Sequence, residues 1–274
     1  MIRSSVTISL VPEARGGPFV IWDDLPAACG QARDLGFDAI EIFPPDPEAI
    51  DVGRLRTLLA DHGLALAAVG TGAGWVKGRL HLCLPGAAAR TKARAFVRSI
   101  IDVAGALGAP AIIGSMQGRS GDGVDQVTAT GYLAEALEDL GEHARQYAVP
   151  LVFEPLNRYE TNMVNTLGAG TRLLERLSTR NVALLADLFH MNIEEDSIPR
   201  AISAGAGHIG HVHFVDSNRR PAGLGHIDYP PIVAALAGIG YSGFASAEAL
   251  PYPDSRAAAQ QTIKAFKQFF RAAE

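Results

Sequence analysis

Glu154, Asp187, His213 and Glu248 follow one another at intervals of 33, 26 and 35 residues, each at the end of an apolar, β-rich run. Their surroundings are Phe153-Glu154-Pro155-Leu156-Asn157-Arg158-Tyr159-Glu160, Ala186-Asp187-Leu188-Phe189-His190-Met191-Asn192, Gly210-His211-Val212-His213-Phe214-Val215-Asp216-Ser217-Asn218-Arg219 and Ala247-Glu248-Ala249. Three carboxylates and one imidazole are mostly hard oxygen donors. Such a set suits Mn²⁺, Mg²⁺ or Co²⁺ better than a thiolate-rich zinc or copper site. Each interval is about one βα unit, so one residue from each of four strands can meet at a single point. A carboxylate at a strand end also has a plainer reading, as a helix N-cap or ion-pair partner. Four consecutive strands that all end in a ligand type favour the metal.

Two glutamates in such a set offer more than binding. A divalent ion chelating a ketose carbonyl and the adjacent hydroxyl acts as a Lewis acid and stabilises a developing enediolate. With Glu154 and Glu248 on opposite faces of that plane, one removes a carbon-bound proton and the other returns one from the far side. The result is inversion at that carbon.

The elements that must hold these residues alternate along the chain. Strands are expected at Val6–Val11, Ala39–Phe43, Ala65–Gly70, Ala111–Gly114, Leu151–Glu154, Ala183–Asp187, Gly210–Val215 and Phe244–Glu248. Between them lie stretches with helical periodicity, among them Leu25–Leu35, Ala88–Leu107, Tyr132–Tyr147 and Arg256–Phe270. Glycines at 36, 63, 108 and 240 stand where a helix must stop before the next strand. Several strands are apolar almost throughout, as in a parallel sheet buried on both faces. Eight βα units without an obvious linker predict one (β/α)₈ TIM barrel over residues 1–274, with a doubly wound sheet as the structural rival. The longer irregular stretches follow the first, third and fourth strands, on the face where a barrel builds its active site.

Bulk composition narrows the function. Hydrophobic residues make up 48% and charged ones 19%, which supports a sizeable core and argues against disorder. The net charge of −5 with no basic block leaves no nucleic-acid footprint. Cys29 and Cys83 have no CxxC neighbour, so neither a disulfide framework nor a zinc ribbon is expected. The first ten residues are too polar for a signal peptide, and no apolar run reaches the roughly 18 residues that span a bilayer. A cytoplasmic protein without membrane partners is expected.

Taken together, Glu154 through Thr161, Asp187 through Glu195 and His213 through Arg219 resemble the D-tagatose 3-epimerase group of sugar isomerases and epimerases, within the xylose isomerase-like TIM barrels. The likeness covers nearly the whole chain and is densest from Leu151 to Leu250. It implies that Glu154, Asp187, His213 and Glu248 bind one divalent metal, usually Mn²⁺, and that Glu154 and Glu248 exchange the proton. It further implies that Glu160, His190 and Arg219 hold substrate oxygens, and that relatives pair as homodimers or homotetramers. Gly70 through Trp75 and Ile113 through Arg119 look more like the 5-keto-L-gluconate epimerase branch, whose substrates are keto sugar acids of the D-tagaturonate type. Arg119 could then grip a substrate carboxylate through two parallel hydrogen bonds, with Arg15 as a second choice. Neutral-ketose members instead line the sugar's far end with aromatic and apolar residues.

Other residues carry weaker signals. His211 shares parity with His213 and is expected inside the barrel beneath the metal. His208 has the opposite parity. His226, on the loop after the seventh strand, either contacts substrate or orders its loop. Glu41, within a strand, is either a pocket residue or the buried partner of an arginine. The glycines from Gly70 to Gly74 superficially suggest a dinucleotide fingerprint but lack the helix start and acidic residue it requires.

The same parts suit rival reactions. Decarboxylation of a 3-oxo sugar acid passes through a similar enolate, and aldose–ketose isomerisation, as of hydroxypyruvate, changes only which carbon is reprotonated. Metal-dependent endonucleases of this barrel family carry more histidines and a basic face, and this chain has neither. A non-catalytic sugar-binding barrel is the remaining alternative.

Overall fold

Alternation along the first strand shows how the barrel is built. Val6 and Ile8 join the large apolar cluster shared with the helices, while Ser5, Thr7 and Ser9 take the other face. The computed structural model describes residues 1–22 and 24–271. Eight parallel strands close in sequence order: β1 Arg3–Ser9, β2 Ala39–Phe43, β3 Ala65–Gly70, β4 Ala111–Ile113, β5 Leu151–Phe153, β6 Val182–Asp187, β7 Ile209–His213 and β8 Phe244–Ala247. Pairing of β1 with β8, with Ser5 opposite Ser246, shuts the cylinder. This is the (β/α)₈ barrel expected from the sequence, and the doubly wound rival is excluded.

Helices clothe the cylinder: α1 Leu25–Leu35, α2 Val52–His62, α3 Ala73–Gly78, α4 Ala87–Ala106, α5 Gln126–Arg145, α6 Leu167–Glu175, α7 Leu188–Glu194, α8 Ile198–Ala204, α9 Tyr229–Gly238 and α10 Ser255–Phe266. A π-helical turn, Lys267–Arg271, follows α10. Side-chain caps fix several starts. Asp24, Asp51, Thr166 and Asp254 each accept from a backbone N–H in the first turn of the helix that follows. Asp125 accepts from the N–H groups of Val127 and Thr128, so α5 starts at Gln126, six residues before the apolar periodicity becomes visible. Gly36 and Gly63 end α1 and α2 in the left-handed conformation, as their places in the sequence suggest. Among the described residues, no helix is long and apolar enough to cross a membrane.

The strands differ from expectation mainly at their ends. β1 starts at Arg3, three residues early, because Arg3–Val6 pairs with β8. β4, β5 and β8 stop one residue before Gly114, Glu154 and Glu248. Each of those residues is therefore the first to leave its ladder at the C-terminal rim, where catalytic groups of such barrels gather.

The barrel interior is divided. Ala68, Ile112, Val152 and Leu185, one each from β3 to β6, form a small apolar cluster inside it. On the opposite side, the register sets Thr7 beside Glu41 and His213 beside Ser246, so β1, β2, β7 and β8 contribute polar side chains. Half of the interior is thus polar in a fold whose centre is commonly filled with Val, Ile and Leu.

Candidate active site

At the C-terminal rim the four side chains converge. Glu154 continues the ladder with one last bond, its N–H to the carbonyl of Ile113 (2.9 Å). Asp187 ends β6 and divides its two oxygens. Oδ1 caps α7 by accepting from Phe189 N (2.8 Å) and His190 N (3.0 Å), and Oδ2 lies 3.0 Å from His213 Nδ1. The N-cap reading of this aspartate is therefore met by Oδ1, which leaves Oδ2 facing the other three side chains. His213 Nδ1 also lies 3.4 Å from Glu154 Oε1 and 3.7 Å from Glu248 Oε2. One donor atom from each of the four lies within 4.8 Å of all the others.

Charge at this point is concentrated and buried. Burial, with Glu248 and Asp187 adding to it, raises the Glu154 carboxyl above its ordinary range, and His213 only partly offsets them. Glu248 is raised too, by burial first and then by Asp187 and Glu41, against the pull of Arg219 and His213. Burial also pushes Asp187 up, but His190, Arg219 and His213 outweigh it and hold that carboxyl low. Burial disfavours charge on His213, yet Glu41 and Glu248 keep its proton well above the usual imidazole range. Glu154 Oε1 is buried and accepts no hydrogen bond. Such an orphan is costly unless another partner completes it. An oxygen-rich donor set around it fits one hard divalent cation.

Gly114 lets the Glu154 carboxylate lie close against the backbone. A Cβ there would collide with Glu154 Oε2. Gln117 donates its side-chain amide to the Glu154 carbonyl (2.9 Å) and braces the same turn.

A second set of residues faces the cavity above the four. His190 is 1% exposed, and burial lowers its pKa to about 3, so the ring is neutral. Asn157 donates to its Nδ1 from both the backbone N–H (3.2 Å) and the side-chain amide (2.7 Å). Nδ1 is thus met by two donors, while Nε2 lies 3.0 Å from Arg219 Nη1, which also only donates, so the two sides compete for the one lone pair of the neutral ring. The Asn157 amide also holds Glu160 Oε1 (2.9 Å). Arg219 pairs with Glu248, places Nη1 3.0 Å from His190 Nε2 and stacks its guanidinium 4.6 Å from the Phe189 ring centroid.

Arg219 adopts φ +58° on the loop after β7, and its N–H bonds the Asp216 carbonyl (2.9 Å). The Asp216 carboxylate ties that loop together. It accepts from Ser217 N, Gly223 N, Ile227 N and the Tyr229 hydroxyl at 2.8–3.2 Å. Asn157 and Asp216 both lie inside the motifs quoted above, but the sequence does not distinguish them from their neighbours.

These groups open into a cavity of about 350 Å³. Glu154, His190, His213, Arg219, Glu248 and Glu160 line it; Asp187 lies just behind them. Two expectations are corrected. Arg119 does not reach the cavity; its Nη1 points to the Tyr159 carbonyl (3.4 Å) on the exposed rim. His226 also stays outside, bonded through Nδ1 to Ser217 Oγ (3.0 Å), so it orders its loop. Arg15, the second choice, does line the cavity, with its guanidinium 5.4 Å from the Trp22 ring centroid. Phe19, Phe43 and Trp75 line the same region, an aromatic wall that the early loops were not expected to provide. Glu41 lines the cavity, the first of its two expected readings, and is paired with two histidines, His211 and His213, and, among the described residues, with no arginine.

Residues 29–269 match the xylose isomerase-like TIM barrel family, and the chain belongs to it. An L-ribulose 3-epimerase of Mesorhizobium japonicum (strain LMG 29417 / CECT 9101 / MAFF 303099) is 31% identical over 229 residues, 80% of this chain and 73% of that protein. A ketose 3-epimerase of Arthrobacter globiformis is also 31% identical, over 78% of this chain and 73% of its own length. A solved L-ribulose 3-epimerase structure superposes with a TM-score of 0.83 at 27% identity, covering 100% of this chain and 96% of its own. The chain is an enzyme of the isomerase and epimerase class.

Proposed function

We propose that this enzyme epimerises a ketose at the carbon beside its carbonyl, with Glu154 and Glu248 exchanging the proton. One observation carries the reading. Two buried glutamates approach the same point from β5 and β8, with one carboxylate oxygen of each within 4.8 Å of the other. A pair poised in this way can keep one member as acid while the other acts as base. The relatives' activities support position 3 of a ketose as the reacting centre.

Glu154, Asp187, His213 and Glu248 would hold a divalent ion, Mn²⁺ by the family likeness, which when bound supplies Lewis acidity at the substrate's carbonyl and hydroxyl oxygens. The ionised glutamate takes the proton from carbon; the protonated one returns a proton to the opposite face. In the reverse reaction the two exchange roles. Arg219 presents donors to the oxygen on which negative charge develops, where fixed dipoles act most strongly, and His190 adds Nε2–H in the tautomer that Asn157 favours. Glu160, placed by Asn157, accepts from a hydroxyl nearer the mouth. The aromatic wall excludes water from one side of the cavity, and Arg15 offers the far end of the substrate a positive charge. Keto sugar acids therefore belong beside neutral ketoses among the candidate substrates.

Proton NMR in D₂O tests the reading, with enzyme loaded with Mn²⁺ and then chelated before acquisition. A ketose or keto sugar acid that gains deuterium beside its carbonyl and yields the epimer supports it. Release of CO₂ with a product one carbon shorter would establish decarboxylation instead, and a carbonyl that moves along the chain would establish aldose–ketose isomerisation.

A further inference from the structure

Beneath the four converging residues lies a carboxylate with no place in the chemistry above. Glu41 is 5% exposed and stands on β2, while its partners stand on β7. β1 and β8 separate those strands in the barrel, so the contact crosses the interior. Oε2 of Glu41 lies 2.8 Å from His211 Nε2, and Oε1 lies 3.2 Å from His213 Nε2. The two imidazoles meet edge to face, with ring centroids 5.5 Å apart and planes at 83°. Around them the interior is polar but loosely satisfied: Ser5 Oγ and Ser246 Oγ are buried without partners.

A buried carboxylate costs stability unless it is fully paired, and apolar residues of equal volume commonly serve a barrel core better. Glu41 is paired at both oxygens, and one of those partners is a member of the converging set. His213 therefore lies between two acidic groups, with Nε2 toward Glu41 and Nδ1 toward Asp187, Glu154 and Glu248. A carboxylate accepts only from a protonated nitrogen, and an imidazole ligates only through an unprotonated one.

We propose that Glu41 is a positioning residue for the metal: it accepts from His213 Nε2 and so orients the ring with Nδ1 toward the other three donors, leaving Nδ1 as the nitrogen that binds the ion. His211 holds the second oxygen of Glu41, so the carboxylate cannot rotate away from His213. Metal binding at Nδ1 then displaces only the proton of that nitrogen, and the proton on Nε2 remains in its bond to Glu41. The inference rests on the reading of His213 as a metal ligand. Hydrogen-bonded partners of this kind set both ring orientation and ligand basicity, and their loss commonly costs 10- to 100-fold in metal affinity.

Glu41→Gln keeps the shape and makes the prediction sharp. With His211 still donating to the amide oxygen, the amide NH₂ faces His213 Nε2 and calls for a lone pair there, which moves the ring proton to Nδ1. The test uses full-length protein labelled with ¹⁵N-histidine, stripped of metal and then titrated with Zn²⁺ as a diamagnetic probe. Metal affinity is measured in parallel by competition with a fluorescent chelator. Wild-type protein is expected to bind one ion per chain through His213 Nδ1 while Nε2 keeps its proton. Glu41→Gln is expected to bind about 10- to 100-fold more weakly, with the Nε2–H signal of metal-loaded His213 lost or shifted. Ligation through Nε2 in the wild type would overturn the proposal without recourse to any variant. So would unchanged affinity and an unchanged Nε2–H signal in Glu41→Gln, which would leave the four-ligand reading intact. Two ions per chain, the second perturbing His211, would make Glu41 a ligand and also overturn it. Failure of the wild type to bind any ion would remove the four-ligand reading itself.

Discussion

Asn157 donates to His190 Nδ1 twice, through its backbone N–H at 3.2 Å and its side-chain amide at 2.7 Å. Those donors favour the tautomer with Nε2–H toward the cavity, against Arg219 Nη1, which lies 3.0 Å from Nε2 and favours the other. Asn157→Asp keeps the size but replaces one donor with an acceptor, which draws the ring proton to Nδ1. The expected result is a fall in kcat of about 10²-fold, within the range for losing one stabilising donor. KM should change much less, and ¹⁵N spectra should show the altered His190 tautomer. Unchanged kcat would show that His190 gives no proton-bearing contact to the reaction.

Glu154 and Glu248 should cost the metal-free protein stability as pH rises above 4.5, the ordinary glutamate value. Glu154 and Glu248 are both raised, so the folded chain keeps protons that the unfolded chain has already released. Their stabilising contribution is complete below that value and is lost as the folded groups ionise. Asp187 and His190 work in the other direction, Asp187 on the acid side of 3.8 and His190 below 6.5, while His213 adds to the decline above 6.5. Thermal melts from pH 6.5 to 8 on chelated protein should show the decline, and Glu154→Gln should reduce it. Mn²⁺ at a hundred times its Kd should restore about 2.7 kcal/mol. A flat profile in the metal-free wild type would contradict the assignment.

Arg15 sets a charge at the cavity wall, beside Phe19 and Trp75. Arg15→Gln should raise KM for keto sugar acids by about tenfold or more, the scale of one lost charge-assisted hydrogen bond. Neutral ketoses should change by no more than about twofold, since their contacts to uncharged groups survive. Steady-state kinetics on matched pairs of substrates decides the matter. An equal loss on both would show that Arg15 shapes its loop and does not select substrate.

The barrel was legible in the sequence because each βα unit is punctuated locally. Gly36 and Gly63 end helices in the left-handed conformation, and β2 and β3 run where their apolar patterns predict. The four converging side chains were legible for a related reason. A strand end fixes both the height and the inward direction of a side chain in a barrel, so spacing alone brings them together.

Loops carry no such rule, and there the reading failed. Arg119 and Arg15 are both arginines on loops after strands, and nothing local says which one turns inward. The 3-10 turn at Pro12–Ala14 brings Arg15 to the cavity, while Gly118, at φ +83°, leads Arg119 out along the rim. Glu41 did give a signal, as a lone charged residue in the apolar run Ala39-Ile40-Glu41-Ile42-Phe43. Its partners lie 170 and 172 residues away in sequence, across the closed barrel, and only closure reveals them.

The most direct measurement of the central claim is solvent-deuterium exchange at the carbon beside the carbonyl, compared among wild type, Glu154→Gln and Glu248→Gln. Each variant should keep its fold, and each should lose epimer formation by about 10³-fold, within the range for removing one acid–base group. Exchange should also be lost for the epimer whose proton faces the altered residue. Full exchange and turnover in either variant would contradict a proton transfer shared between Glu154 and Glu248.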